Sequence, residues 1–432
     1  MQNKSKNTSY KISIVVLIII IIIGFSGMGY YYTAYTSNSS ELSSLNKLDE
    51  YLTSRITYNG SNPSSLLQIL STPRIGIVDI TAYEQAPILA AMNVTGEVTI
   101  DGFTYYVGTI NGHPVVNVRA GEKDSSAEEA TALMDNYFNI SASILSGIGG
   151  SRNPYINTGD VVIGAFVVNK GSVHYYDGGY EDDYGGDEMV ITNQSIIGSS
   201  LVTSYGEVGA TPQDASTYGY GPGTNSTNYL YVADLAASAQ LVKLASSYSG
   251  LGTTPISDIT GNSTNTGSIN AKVVVGVISS GGFWTEPVYL NAIQNALYQG
   301  DVGENEGWGF AFANAQYGIP WVIVRGISNS HFYPEPFHGV LASERAAQVA
   351  IYIVDNFNSS ANLRTTATFS SLSAISEARI HGYIVANTVF FNSSGNITEV
   401  QYTNQSGQTV TIINPVEYPS QLPSLTNISS TS

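Results

Sequence analysis

"GENEGWGFAFANAQYGIPWVIVRGISNS", residues 303–330, decides how the rest of the chain is read. Two carboxylates, Glu304 and Glu306, stand one residue apart at the start of a run with helical composition, "GWGFAFANAQY". A Gly-Ile-Pro turn follows, and then a β-branched run, "IPWVIVRGIS", that ends in Asn329. A helix feeding a buried strand is half of an α/β repeat. In open α/β sheets ligands gather beyond the carboxyl ends of strands, and Arg325 and Asn329 fall at such an end.

Working outward, the same rhythm recurs. "RIGIVDI" (74–80) and "ASILSGIGG" (142–150) are compact apolar strands. "FTYYVGTI" and "HPVVNVRAG" pair as a hairpin, and "SAEEATALMDNYF" has helical spacing. "GDVVIGAFVV" and "AKVVVGVISS" are further β-branched runs, and "SERAAQVAIYIVDNF" is a second long helix. The pattern predicts a three-layer α/β/α domain with a mixed central sheet over 72–360. Residues 175–270, rich in Gly, Tyr, Ser and Thr, read as a long insertion. Residues 361–432 are Ser/Thr/Asn-rich, with alternating runs that predict a small C-terminal β extension.

Composition narrows the function. The 432 residues carry 43% hydrophobic content, enough for one main domain with extensions. Charged residues make up only 11%, and the formal net charge of -17 excludes nucleic acid as a partner, which would need clustered Lys and Arg. With no cysteine, disulfides, thiolate nucleophiles and Cys-based metal sites are excluded. Residues 1–35 read as a membrane anchor or a signal: Lys4, Lys6 and Lys11 precede "ISIVVLIIIIIIGFSGMGYYY". That uncharged run is long enough to cross a hydrocarbon core about 30 Å thick. The expectation is a single-pass protein of the cell membrane with its main domain extracytoplasmic, or a secreted one if the segment is cleaved. Residues 36–71 read as a stalk. Sequons such as Asn38, Asn139 and Asn427 add the expectation of a glycoprotein.

Several residues are candidates for chemistry. An ionised Glu at a helix start lies near backbone N–H groups that favour its charge, and its two oxygens suit the vicinal hydroxyls of a ribose; plain helix capping explains the Glu304/Glu306 pair equally well. Phe283 and Trp284, in "SSGGFWTEP" after a strand, are placed either to stack on a planar base or to plug the core. Gly147, Gly149 and Gly150 form a Gly-rich turn whose N–H groups could meet an anion or a sugar. His113, His174, His338 and His381 lack metal-ligand spacing, so no metal is expected. There is no Gly-x-Ser-x-Gly turn or phosphate-binding Gly-x-x-x-x-Gly-Lys loop.

Taken in order, "RIGIVDITAYE", "ILSGIGGSRNPYINTGDVVIG", "VVVGVISSGGFW" and the opening stretch resemble the purine nucleoside phosphorylase and methylthioadenosine nucleosidase superfamily over most of 74–357. The resemblance implies that Glu306 holds the ribose hydroxyls, that Asn305 packs beneath the sugar, and that Phe283 and Trp284 line the base. Asn329 stands where many members carry an Asp that protonates the purine, while a branch acting on 6-oxopurines uses Asn. Glu84, in "TAYEQAP", falls near the glutamate that activates water in the nucleosidases. Phosphate is a possible cosubstrate, with Arg119, Arg152 and above all Arg325 as candidate contacts, Arg325 serving either an anion or the structure, and His331 is a further candidate near the sugar. No other cofactor is implied. A homo-oligomer is expected. The function implied is cleavage of the N-glycosidic bond of purine nucleosides, by phosphorolysis or hydrolysis. The alternative is an inactive nucleoside-binding or surface-structural protein on the same fold.

Overall fold

The computed structural model describes residues 55–59, 64–153, 156–171, 173–176, 179–182, 187–190, 229–232, 234–282, 300–330 and 337–358, and three strands at 385–391, 397–403 and 409–413. The apolar N-terminal run, Phe283, Trp284, His331 and His381 lie outside these residues. Among the described residues no helix is long and apolar enough to cross a membrane.

Eleven strands build the main sheet: β1 (Ile56–Asn59), β2 (Arg74–Asp79), β3 (Asn93–Ile100), β4 (Phe103–Ile110), β5 (His113–Arg119), β6 (Ile140–Ser151), β7 (Val161–Asn169), β8 (Asp234–Ala236), β9 (Val273–Ser280), β10 (Val302–Glu304) and β11 (Trp321–Ser330). Their order is β1-β3-β4-β5-β2-β6-β10-β9-β7-β8, with β11 lying between β6 and β7. β5, β2, β6 and β11 run parallel to one another along the centre, while the β3–β4–β5 meander and the β6–β10 and β7–β11 pairs are antiparallel, so the sheet is mixed. The meander follows from Asn111-Gly112 at the β4–β5 turn, where both residues adopt positive φ, +48° and +88°. That geometry matches the right-handed twist of a two-residue hairpin.

One topological feature positions the site. β6 pairs with β10, β10 with β9, β9 with β7, β7 with β11, and β11 back with β6. The pairings close a ring. β10 and the last residues of β6 and β11 meet at one rim of it, Gly150 facing Gly303 on one side and Asn329 on the other.

The described helices of eight residues or more are α1 (Ser64–Ser71), α2 (Ala82–Ala91), α3 (Asp124–Tyr137), α4 (Ala239–Ser246), α5 (Gly307–Tyr317) and α6 (Gly339–Asn356). α6 packs on α2, α4, β6 and β11, while α3 and α5 pack on each other against β2, β6 and β7. Two helical layers therefore sandwich the sheet, as the alternation of strands and helices predicts. The central strands are buried on both faces, which is why they read as continuous apolar runs: every residue of β7 is buried. Phe310 on α5 meets Trp321 on β11 edge to face, with ring centroids 6.2 Å apart.

Three boundaries move. The segment read as a stalk includes β1, which pairs antiparallel with β3 on the sheet edge, and α1, whose Leu66, Ile69 and Leu70 are buried in the core. The segment read as an insertion rejoins the fold early, since β8 pairs with β7 and Leu241 and Val242 of α4 are core residues. Its strand Asp187–Val190 is tied to the fold through Asp187, which accepts from the Trp308 indole N–H and, at 3.1 Å, from Asn169. The Gly-rich "turn" at 147–150 is strand, part of β6. The C-terminal strands form a three-stranded antiparallel sheet, the expected β extension.

Candidate active site

Arg325 lies midway along β11, paired with Gly147 of β6 and Val162 of β7, and has no solvent exposure. A fully buried guanidinium is costly unless it is paired and hydrogen-bonded, and three carboxylates meet it. Its Nη2 contacts Glu304 Oε2 and lies 3.2 Å from Glu306 Oε2, while its Nη1 lies 4.0 Å from Glu84 Oε1. Burial by itself would lower the guanidinium pKa; Glu304, Glu306 and Glu84 together reverse that and raise it. Gly147 makes room for the cluster, since a Cβ there would collide with Arg325 Nη1.

Each carboxylate is held differently. Glu304 Oε2 accepts the N–H groups of Glu306 (3.0 Å) and Gly307 (2.8 Å), so it caps the start of α5. Glu306 Oε1 accepts the Lys123 N–H at 3.1 Å, which ties the side chain to the start of α3. Glu84 forms a capping box at the start of α2: its Oε2 accepts the Thr81 N–H (2.7 Å) and hydroxyl (2.6 Å), and its Oε1 accepts the Ile148 N–H at 2.8 Å. Burial pushes the Glu306 carboxyl up to about 7; Arg325 pulls it back, and Glu304 adds to the rise.

These groups wall a cavity of about 210 Å³. Glu84, Glu304, Asn305, Glu306, Gly149 and Asn329 all line it, together with Arg152 and Lys170. Asn329 is half-buried, and its carboxamide oxygen accepts the Ser328 hydroxyl at 2.9 Å. That leaves the amide N–H groups as the donor the residue can offer a ligand. Behind the wall, Asp124 accepts the Ser280 hydroxyl at 3.0 Å, and burial and then Glu304 push its carboxyl up to about 7. Among the described residues no group of His, Cys, Asp and Glu is placed to hold a metal ion.

A family model described as the phosphorylase superfamily matches residues 74–355. The chain belongs to the phosphorylase superfamily. Its curated relatives include the 5'-methylthioadenosine/S-adenosylhomocysteine nucleosidase of Marinomonas sp., 25% identical over 257 residues and matched over 59% of this chain and 85% of that protein. The same-named protein of Shewanella baltica is 24% identical over 294 residues, 67% and 99% of the two chains. Among solved structures, futalosine hydrolase of Helicobacter pylori shares 16% identity with a TM-score of 0.44, covering 67% of this chain and 99% of that one.

In this superfamily member the expected site residues separate into groups. Glu84, Glu304, Glu306 and Asn329, distant in sequence, share one cavity, and Gly149 lines it with them. Two candidates take structural places. Arg325, read as an anion or structural contact, lies behind the wall with carboxylates of the protein itself as its anions; Gly147, read as a contact for an anion or a sugar, does not line the cavity and serves as space for that guanidinium. Arg119 is exposed at the end of β5 and is not among the cavity residues. Sequence reasoning missed Lys170 and Asp124. The signal for Lys170 was its place directly after the apolar strand β7, a position where a lysine in a chain of 16 Lys and Arg stands out.

Proposed function

We propose that the protein cleaves the N-glycosidic bond of purine nucleosides by hydrolysis. The observation that carries this reading is the cavity itself, in which a carboxylate placed for sugar hydroxyls, a second carboxylate and an amide donor face one space. Similarity to proteins named as nucleosidases supports it.

In this reading Glu306 accepts hydrogen bonds from the ribose hydroxyls and Glu84 takes a proton from the attacking water. The water oxygen bonds to the anomeric carbon, and the electron pair of the breaking C–N bond passes to the base. Asn329 donates a hydrogen bond to the departing base. An amide cannot transfer a proton, so the base leaves with its negative charge stabilised by donors and is protonated after the bond has broken. Arg325 keeps Glu84, Glu304 and Glu306 together. Hydrolysis needs no cofactor; phosphate in place of water is the second reading. We further propose a homo-oligomer, supported by Tyr83 and Phe337, apolar residues that are both exposed and at the cavity wall. From the N-terminal apolar run we propose a membrane-anchored, extracytoplasmic protein.

The test is to incubate the full-length protein with inosine, guanosine, adenosine and methylthioadenosine, with and without phosphate, and to measure free base. Release without phosphate supports hydrolysis. Release only with phosphate transfers the assignment to phosphorolysis, and binding without release leaves a nucleoside-binding protein.

A further inference from the structure

Among the described residues Asn59, Asn93, Asn139, Asn262 and Asn358 each open an Asn-x-Ser/Thr sequon, and every one of them is exposed. Asparagines without Ser or Thr two positions on show no such restriction: Asn117, Asn153, Asn157, Asn169, Asn305 and Asn314 are buried. Chance sequons in a chain rich in Asn, Ser and Thr would fall on both sides of that divide. A sequon that carries an oligosaccharide must stand in solvent. Charged residues are only 11% of the chain, against a usual value of about 25%, so sugars would supply polarity that the surface otherwise lacks.

The side chains fit the modification. Asn262 Oδ1 accepts the Thr264 N–H at 3.0 Å and the Thr264 hydroxyl at 2.8 Å, so the turn of its own sequon holds the carbonyl and leaves the amide nitrogen to react. Asn139 Nδ2 donates to Ser71 O at 3.0 Å. A glycosylated amide keeps one N–H, enough for that bond.

Their placement follows from the topology. The cavity opens where β2, β6 and β11 end, at Ile80, Gly149, Gly150, Ser328 and Asn329. Asn93 comes at the end of α2, a helix of 10 residues that starts at the cavity with Glu84 and carries the chain about 15 Å away. Asn139 directly precedes β6, and the 12 residues of that strand put Gly149 and Gly150 roughly 30 Å further on. Asn358 follows α6, whose start is tied to the rim by the His338 N–H on Ser328 O at 2.8 Å and whose 18 residues span about 27 Å. Short bonds join these three places. Asp355 accepts Asn111 Nδ2 at the β4–β5 turn, and Asn93 pairs with Thr109 just ahead of that turn. The Arg74 N–H donates to Asn139 O at 2.9 Å, and its guanidinium reaches Gly108 O at 3.2 Å. Asn93, Asn139 and Asn358 therefore gather at the end of the domain opposite the cavity.

We propose that Asn93, Asn139 and Asn358 carry N-linked oligosaccharides, which cover that end of the domain and leave the mouth of the cavity bare. This rests on the extracytoplasmic reading above. In the transfer the amide nitrogen bonds to the anomeric carbon of an oligosaccharide held on a lipid phosphate. The bond from that carbon to the phosphate oxygen breaks, the phosphate leaves with the electron pair, and the amide nitrogen gives up one proton.

The test takes full-length protein from the membranes of the cells that make it and reads its peptides by tandem mass spectrometry. Glycopeptides are expected at all three positions. N93Q, N358Q and S141A, which removes a sequon while keeping Asn139 and its bond to Ser71, should each lower the intact mass by one glycan, and T95S, which keeps its sequon, should not. Hydroxyl-radical footprinting then compares wild type with the variant lacking all three sequons. Val94, exposed beside Asn93, should label more in the variant, while Tyr83 and Phe337 at the cavity wall label equally in both. Unmodified peptides at the three positions overturn the proposal, and so does a rise in Tyr83 and Phe337 labelling when the sequons are removed, since glycans would then shade the mouth. Protease added to intact cells separates the two readings. Digestion of an unglycosylated main domain leaves it extracytoplasmic and ends only the glycan proposal, whereas protection of an unglycosylated domain ends both.

Discussion

Arg325 Nη2 lies 3.2 Å from Glu306 Oε2, so the carboxylate facing the cavity is tethered to a guanidinium that solvent does not reach. The pair holds Glu306 in place without making it a strong acid, because burial outweighs the attraction and pushes its carboxyl up to about 7. A group that must accept hydrogen bonds from hydroxyls works best ionised.

Nucleoside affinity is therefore expected to weaken as pH falls through about 7 and to plateau above it. Glu306→Gln should cost roughly 1.5 to 3 kcal/mol of binding at high pH, the range for a hydrogen bond to a charged group, and flatten the pH dependence. Calorimetry across about pH 5.5 to 8.5 checks both; unaltered affinity in the variant removes Glu306 from the sugar.

Arg325→Met leaves Glu84, Glu304 and Glu306 buried together without their counter-charge. Breaking a buried ion cluster from one side costs about 3 to 5 kcal/mol, and thermal melting should show a clearly lowered Tm. Gly147→Ala should act in the same direction because its Cβ meets Arg325 Nη1. A variant melting within a degree or so of wild type would mean that the cluster is dispensable.

Much of the frame behind these expectations was legible along the chain. α5 and β11 are visible as continuous apolar runs, one of helix-forming and one of β-branched composition on either side of a Gly-Ile-Pro turn, because both are buried on nearly every side, and the Asn-Gly turn between β4 and β5 marks its hairpin. The roles within Glu304-Asn305-Glu306 were not separable, since capping and ligand binding ask for the same residue at the same helix start. β1 was hidden because four residues at a sheet edge, Ile56–Asn59, alternate too briefly to register as a strand.

Glu84→Gln should lower turnover about 10²- to 10⁴-fold, the usual contribution of a general base, while leaving nucleoside affinity within about twofold. The capping box with Thr81 predicts a modest drop in Tm as well. Single-turnover rates beside binding isotherms separate the two roles; loss of affinity equal to the loss of rate would make Glu84 a binding or structural group only.

Asn329→Asp introduces a proton donor where the amide offers only a hydrogen bond. Cleavage of amino-purine nucleosides should rise by at least about tenfold relative to inosine, because general acid catalysis is available to them again. Competition assays with adenosine and inosine read the ratio directly, and an unchanged ratio would place Asn329 away from the base.

Burial, and then the charge of Glu304, raise the Asp124 carboxyl from its ordinary value of 3.8 to about 7. A folded-state pKa above the unfolded one means that the native state binds the proton more tightly, so this contribution to stability is complete below about pH 4 and is lost as pH rises through about 7. Asp124→Asn should flatten the fall in Tm over that window. An identical Tm profile in the variant would contradict the shift.

The sequence by itself determined the alternation of buried strands and amphipathic helices, the Glu-x-Glu step and the amide at the end of β11, because each is written in neighbouring residues within the period of one element. Only the tertiary structure decided that Glu304 caps while Glu306 faces the cavity, that Arg325 is a buried anchor, and that Arg152 and Lys170 share a wall with Asn329. Those facts depend on a ring of five strands drawn from five separate parts of the chain, and pairing between distant strands leaves no mark in local periodicity.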